Sequence, residues 1–165
     1  MGDVATTPLA DYEYAIVGPE ARPLSSTAVV ALRWMRVLGL GEGGYDFFGQ
    51  LGSQIGRPNG WHGNETDVYA VDPGAAVWNE PYPIPIPRDQ IVRVYTHTAH
   101  VGINLPSPGG VPVTLIGREP DNVQYYVIVE QYEFPRQILW GYAGPPEDMT
   151  ESGRQLFVNV AWYLK

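Results

Sequence analysis

The chain has 165 residues, 44% of them hydrophobic and 17% charged, with 18 acidic against 10 basic side chains and a formal charge of −8. A single domain of this length buries about 70% of the surface its unfolded chain exposes, and one this acidic lacks the basic face that a nucleic-acid backbone demands and is repelled by an anionic membrane. Cysteine is absent, which excludes disulfides, thiolate metal sites and a cysteine nucleophile; with no apolar run of ~20 residues and no secretion-type leader, the expected location is cytoplasmic.

Residues 1–11 are small and polar and read as a flexible N-terminus ahead of a single domain over 12–165. Tyr14-Ala15-Ile16-Val17-Gly18-Pro19 predicts a short buried strand that ends where proline cannot join a ladder. Over 23–33, Leu24, Ala28, Val29 and Leu32 keep helical spacing behind the caps Ser25, Ser26 and Thr27, so a helix is expected. A second apolar run over 35–40 ends in the turn Gly41-Glu42-Gly43-Gly44, and residues 45–51 follow as a short helix. Strand, helix, strand, glycine turn and helix is the order of a parallel α/β sheet.

The middle changes character. Residues 56–66 read as loop, and 68–71 as a strand closed by Asp72-Pro73. The segment 78–88 carries Pro81, Pro83, Pro85 and Pro87 and is expected to be extended. Further strands are expected at 91–95, 101–105 and 113–117. The runs 124–130 and 137–143 flank Glu133-Phe134-Pro135-Arg136 and read as an antiparallel hairpin. Asp148 and Glu151 have the spacing of a capping box, with Thr150 as a competing cap. Leu156, Phe157, Val160, Ala161 and Leu164 then form one apolar stripe, expected to cover the sheet.

Two of these segments together resemble the class I glutamine amidotransferase-like superfamily. Its nucleophile elbow typically reads Leu-Gly-Ile-Cys-x-Gly; this chain has Leu38-Gly39-Leu40-Gly41-Glu42-Gly43. Its C-terminal block reads Gly-x-Gln-Phe-His-Pro-Glu; this chain has Gly141-Tyr142-Ala143-Gly144-Pro145-Pro146-Glu147, then Thr150, Gly153, Leu156, Phe157 and Asn159. The resemblance implies an α/β, three-layer, flavodoxin-like sheet with a C-terminal antiparallel hairpin. It also implies degenerate triad positions at Gly41, Pro145 and Glu147. Glycine has no nucleophile and proline relays no proton, so the amidotransferase reaction is expected to be absent. Only 13 residues precede the first strand, where the family has a further strand and helix or a long loop. Either the chain is part of a longer protein, or its sheet is shortened and leaves an edge for another protomer. Relatives without the nucleophile include the ThuA-like proteins, linked to sugar utilisation, and amidotransferase-like domains that serve assembly in some glycosidases.

Each candidate site has a structural alternative. Residues 41–44 form a bare elbow or an anion cradle at a helix start; Glu42 opposes a phosphate, and no Lys-Ser/Thr follows. Trp61-His62-Gly63-Asn64 offers a ring face beside polar donors, suited to a sugar; alternatively Trp61 plugs the core edge and His62 caps a turn. His97 and His100 on one strand would point to opposite faces, so no metal and no cofactor is assigned. Arg118 binds a carboxylate or pairs with Glu119 or Glu147, and the ion pair is favoured. Glu42, Glu119 and Glu147 are the pool for a carboxylate pair acting on a glycosidic bond. The aromatics Tyr125, Tyr126, Tyr132, Phe134, Trp140 and Tyr142 form either core or an exposed interface.

The expected function is a non-catalytic, homo-oligomeric domain that keeps a pocket for a sugar or a carboxylate. Its candidate contacts are Glu42, Gly43, Gly44, Trp61, His62, His100, Arg118, Glu119 and Glu147. One alternative is an enzyme of another type, acting on a carbohydrate-related substrate through Glu42, Glu147 and His62 or His100. The other is a monomeric small-molecule binding module.

Overall fold

Val37 and Leu38 are sequence neighbours, so on a strand their side chains leave opposite faces, and both are fully buried. Ile128 with Val129, and Ile138 with Leu139, repeat the pattern. Strands buried on both faces need a layer on each. The computed structural model of the protein describes residues 8–21, 23–107, 112–132 and 135–165.

Nine strands and three α-helices lie among the described residues: β1 (Tyr14–Val17), α1 (Ser26–Leu32), β2 (Arg36–Leu40), α2 (Gly41–Leu51), β3 (Gly60–Gly63), β4 (Asp67–Ala70), β5 (Ile91–Arg93), β6 (His100–Asn104), β7 (Val113–Arg118), β8 (Tyr125–Gln131), β9 (Gln137–Trp140) and α3 (Glu151–Tyr163). They make one α/β sheet in the order β1-β2-β9-β8-β7-β4-β5, with β6 beside the start of β8 and β3 on β6. One apolar cluster joins Leu38, Ile128, Ile138 and Trp140 to Leu156 and Val160 of α3 and to Leu164 just after it. The other joins Val37, Val129 and Leu139 to Tyr45, Phe47 and Phe48 of α2. Each such buried side chain contributes about 1.5–3 kcal/mol.

The parallel expectation holds only where a helix crosses over. β1 pairs parallel with β2, across α1, and β2 pairs parallel with β9. From β3 to β9 no α-helix intervenes among the described residues, and the remaining pairs are antiparallel, as short connections require. The expected hairpin is β8 against β9 in register Ile128↔Trp140 and Glu130↔Ile138; Glu133 and Phe134 lie outside the described residues. Arg136, just before β9, places Nε 2.7 Å from the buried Glu130 carboxylate, and its Nη1 donates to the Tyr163 carbonyl. This ties the hairpin to the end of α3.

Several expectations need correction. Residues 41–44 are not a turn but the first turn of α2, because glycine lets that turn lie against its surroundings. A Cβ on Gly44 would stand 2.3 Å from the Gly39 carbonyl carbon, and one on Gly43 would stand 2.0 Å from the Gly18 oxygen. The segment 56–66 is not all loop, since residues 60–63 pair antiparallel with β6. Thr150, not Asp148, caps α3: its side chain accepts from the Gly153 N–H at 3.0 Å, while Asp148 ends a separate turn of 3-10 helix. Of the N-terminal segment, residues 1–7 lie outside the described residues, and Leu9–Asp11 forms a 3-10 turn. Among the hairpin aromatics Tyr126, Trp140 and Tyr142 are buried and Tyr132 is exposed. No helix among the described residues is long and apolar enough to cross a membrane.

Candidate functional site

β1, β2 and β9 run parallel, so their carboxyl ends open on one edge, where ligand crevices of α/β sheets form. Pro19 and Glu20 follow β1, Gly41 follows β2, and residues 141–146 follow β9. Leu40 and Trp140 are direct partners in the ladder, which brings the chain after them together. Gly41 has φ +48°, a conformation side chains rarely adopt, and a Cβ there would stand 3.0 Å from the Ala143 methyl.

Two hollows flank this point. A polar cleft of about 260 Å³ is lined by Glu42, His62, Gly63, Asn64, Ala99, His100, Gly141 and Ala143. An apolar crevice of about 490 Å³ is walled by Leu40, Tyr95, Trp140, Tyr142, Met149 and Phe157, with Glu20 and Arg154 also lining it. Ala143 belongs to both.

In the cleft, Glu42 is the second residue of α2 and His62 the third of β3. The carboxylate of Glu42 meets Nδ1 of His62, and the His62 ring stands edge-on to Tyr45 at 5.8 Å. The Tyr45 hydroxyl also accepts the Gly60 N–H, at 3.1 Å, which holds β3 to α2. His100 is the floor. Its Nδ1 accepts the Glu65 N–H at 2.8 Å, which assigns the ring hydrogen to Nε2, and Nε2 lies 2.7 Å from Glu119. Both ring nitrogens are engaged and the side chain is 2% exposed, so His100 is a structural pillar. A Cβ on Gly63 would come within 2.5 Å of that ring.

The crevice walls carry no ready proton. The Tyr95 hydroxyl donates to the Gly144 carbonyl at 3.2 Å, and that of Tyr142 to the Asp67 carbonyl at 2.9 Å. Burial pushes the Tyr95 phenol up to about 12, although the Trp140 N–H bond works against it. Burial, and then the carboxylates of Glu65 and Asp67, push Tyr142 well above its ordinary range. Both phenols are neutral near pH 7.

The structure brings Glu42, His62, His100 and, behind it, Glu119 together. The other candidates stand apart. Gly43 is buried against the chain that follows β1 and Gly44 against Gly39 of β2, and the Gly43 N–H donates to Pro19, so an anion cradle loses that donor. Trp61 is exposed, with its ring 5.9 Å from Tyr125, and alternates with His62 across β3. Arg118 lies 3.7 Å over the Tyr69 ring and donates to the backbone carbonyls of Glu119 and Pro120. The favoured ion pair with Glu119 is replaced by these bonds, because the Glu119 carboxylate serves His100. Glu147 is exposed on the Pro146–Asp148 turn and lines neither hollow. His97 pairs with Asp148 at 3.1 Å, away from His100. Among the described residues no group of three His, Asp or Glu side chains could hold a metal ion.

Sequence reasoning missed Tyr95, Met149, Arg154 and the crevice role of Phe157. Aromatic and apolar residues at strand or helix spacing read as core, and nothing in their spacing separates a cavity wall from a packed interior. No family model, no curated protein and no solved structure matches the chain.

Proposed function

We propose that the protein is a non-catalytic domain of the flavodoxin-like, three-layer, amidotransferase-like kind. It assembles as a homo-oligomer and binds a small molecule at the carboxyl ends of β2 and β9. The observation that carries this reading is Gly41. It occupies a strand-to-helix elbow with positive φ, facing the chain after β9, where a nucleophile would sit in the family it resembles. At that point the chain offers only backbone, and Ala143 and Pro19 stand against it. The elbow geometry is kept and the reacting atoms are gone. Purified protein incubated with glutamine should release no ammonia above a heat-denatured control; steady release abolished by the Gly41→Ala change would overturn the reading.

A second reading rests on the contact between Glu42 and His62. A carboxylate orienting an imidazole at a cleft mouth is the arrangement of a general base. An acid–base enzyme acting on a carbohydrate-related substrate would lose at least about 100-fold of its rate in His62→Ala. An activity unchanged in both His62→Ala and Glu42→Gln would remove this reading.

A further inference from the structure

We infer that the polar cleft and the aromatic crevice take the two halves of one ligand: a neutral, hydroxyl-bearing ring joined to an apolar ring. The inference rests on the reading that this edge binds a small molecule, and it names the class.

The two hollows meet at Ala143, whose side chain is a methyl, beside Gly41, which has none. The saddle between them is therefore low, and a ligand can lie across it. The crevice, at about 490 Å³, has the size of a small-molecule site, for which about 300–1,000 Å³ is usual. Glu20 lines it from an exposed position, and its other charged, hydroxyl and indole side chains are already engaged. The hydroxyls of Tyr95 and Tyr142 donate to backbone carbonyls, and the Trp140 indole N–H is aimed at the Tyr95 oxygen at 3.4 Å. Arg154, the one cation lining it among the described residues, donates to the Met149 carbonyl at 2.7 Å and reaches Glu151 at 3.2 Å. A polar group placed among these walls would exchange water for nothing, so the occupant there is apolar, and the Trp140 and Phe157 rings favour a ring.

The cleft asks for the opposite. The Asn64 amide both donates and accepts, and the His62 imidazole presents Nε2 beyond its contact with Glu42. Hydroxyl groups, which donate and accept at once, satisfy this set. A carboxylate head would meet Glu42 in a chain of charge −8. This decides between the sugar and the carboxylate expected from sequence, in favour of the neutral, hydroxylated head.

The test is calorimetric titration of the full chain, with amide spectra to locate binding, using 4-nitrophenyl glucoside and galactoside, the corresponding methyl glycosides, and 4-nitrophenol. At least one aryl glycoside should bind about tenfold or more tighter than either of its halves, with shifts at residues 40–42, 62–64 and 143–146. Asn64→Ala, at an exposed position, should weaken the aryl glycoside several-fold and leave 4-nitrophenol unchanged. Ala143→Leu should abolish the advantage of the joined ligand. Binding of 4-nitrophenol in the crevice with no gain from any sugar overturns the inference and leaves the small-molecule reading standing. No perturbation of the crevice by any of these probes overturns both.

Discussion

A Cβ at residue 43 would stand 2.0 Å from the Gly18 carbonyl oxygen, and backbone cannot step aside. Gly43→Ala should cost about 1–3 kcal/mol or more, read as a lower urea midpoint. Gly18→Ala, where nothing lies within 4 Å of the added carbon, should stay within about 0.5 kcal/mol. The Tyr95 phenol gives a pH dependence. Its proton is held up to about 12 in the folded chain against 10 ordinarily. Below the unfolded value both states keep the proton and the full contribution is present. Between about 10 and 12 the unfolded chain loses its proton first, so stability falls as pH rises. Tyr95→Phe should make that fall shallower, as read from urea midpoints across the same window. At this scale the sequence was partly legible. Glu42, His62, His100 and Glu119 stood out by residue type. Their pairing did not, because the partners lie on different elements, and burial turned Glu119 and His100 from ligand candidates into a pillar.

α3 shows what one element needs. Thr150 Oγ1 accepts the Gly153 N–H and donates to the Arg93 carbonyl at 2.6 Å, so the cap also fastens the helix to β5. Thr150→Ala should cost about 1–2 kcal/mol, with Thr150→Ser restoring most of it. Asn159, fully buried in the same helix, accepts the Tyr82 N–H and donates to the carbonyls of Val77 and Tyr82. It supplies hydrogen bonds to the proline-rich stretch that has no ladder of its own. Asn159→Ala strands those groups and should cost about 2–4 kcal/mol, measured by thermal and urea unfolding. The helix itself was legible from its apolar stripe. The cap was ambiguous because Asp148 and Thr150 are both good cap residues, and only the backbone direction chose between them. β3 was not legible: Gly60-Trp61-His62-Gly63 has no apolar alternation, and it is a strand because β6 offers an unpaired edge.

The whole molecule ends, on one side, at β1, whose only ladder partner among the described residues is β2. Ile16 on that strand is 50% exposed, and Val158 and Trp162 of α3 are exposed as well. Lys165 reaches both the Trp162 ring and Glu13, which brings the end of α3 beside the chain entering β1. An open edge with apolar flanks is a template for pairing. Light scattering over a concentration series should show a dimer or larger species, and Ile16→Lys should shift it toward monomer. A monomer at every concentration would remove the homo-oligomer from the account. The mixed sheet was legible at its ends, in the crossover around α1 and in the C-terminal hairpin. The antiparallel middle was hidden by its glycines and prolines, which mark breaks without saying which strand pairs with which.

On the proposed reading, the edge above Gly41 is a binding site without chemistry. The most direct measurement is a fragment screen read by amide chemical shifts on the full chain. The account expects the hits to gather at residues 40–42, 62–64, 95, 99–100, 140–146 and 157. Hits that gather elsewhere, such as the hollow of about 340 Å³ between α1 and α2 lined by Leu24, Val29 and Gln50, rule this reading out, as does a screen in which nothing binds.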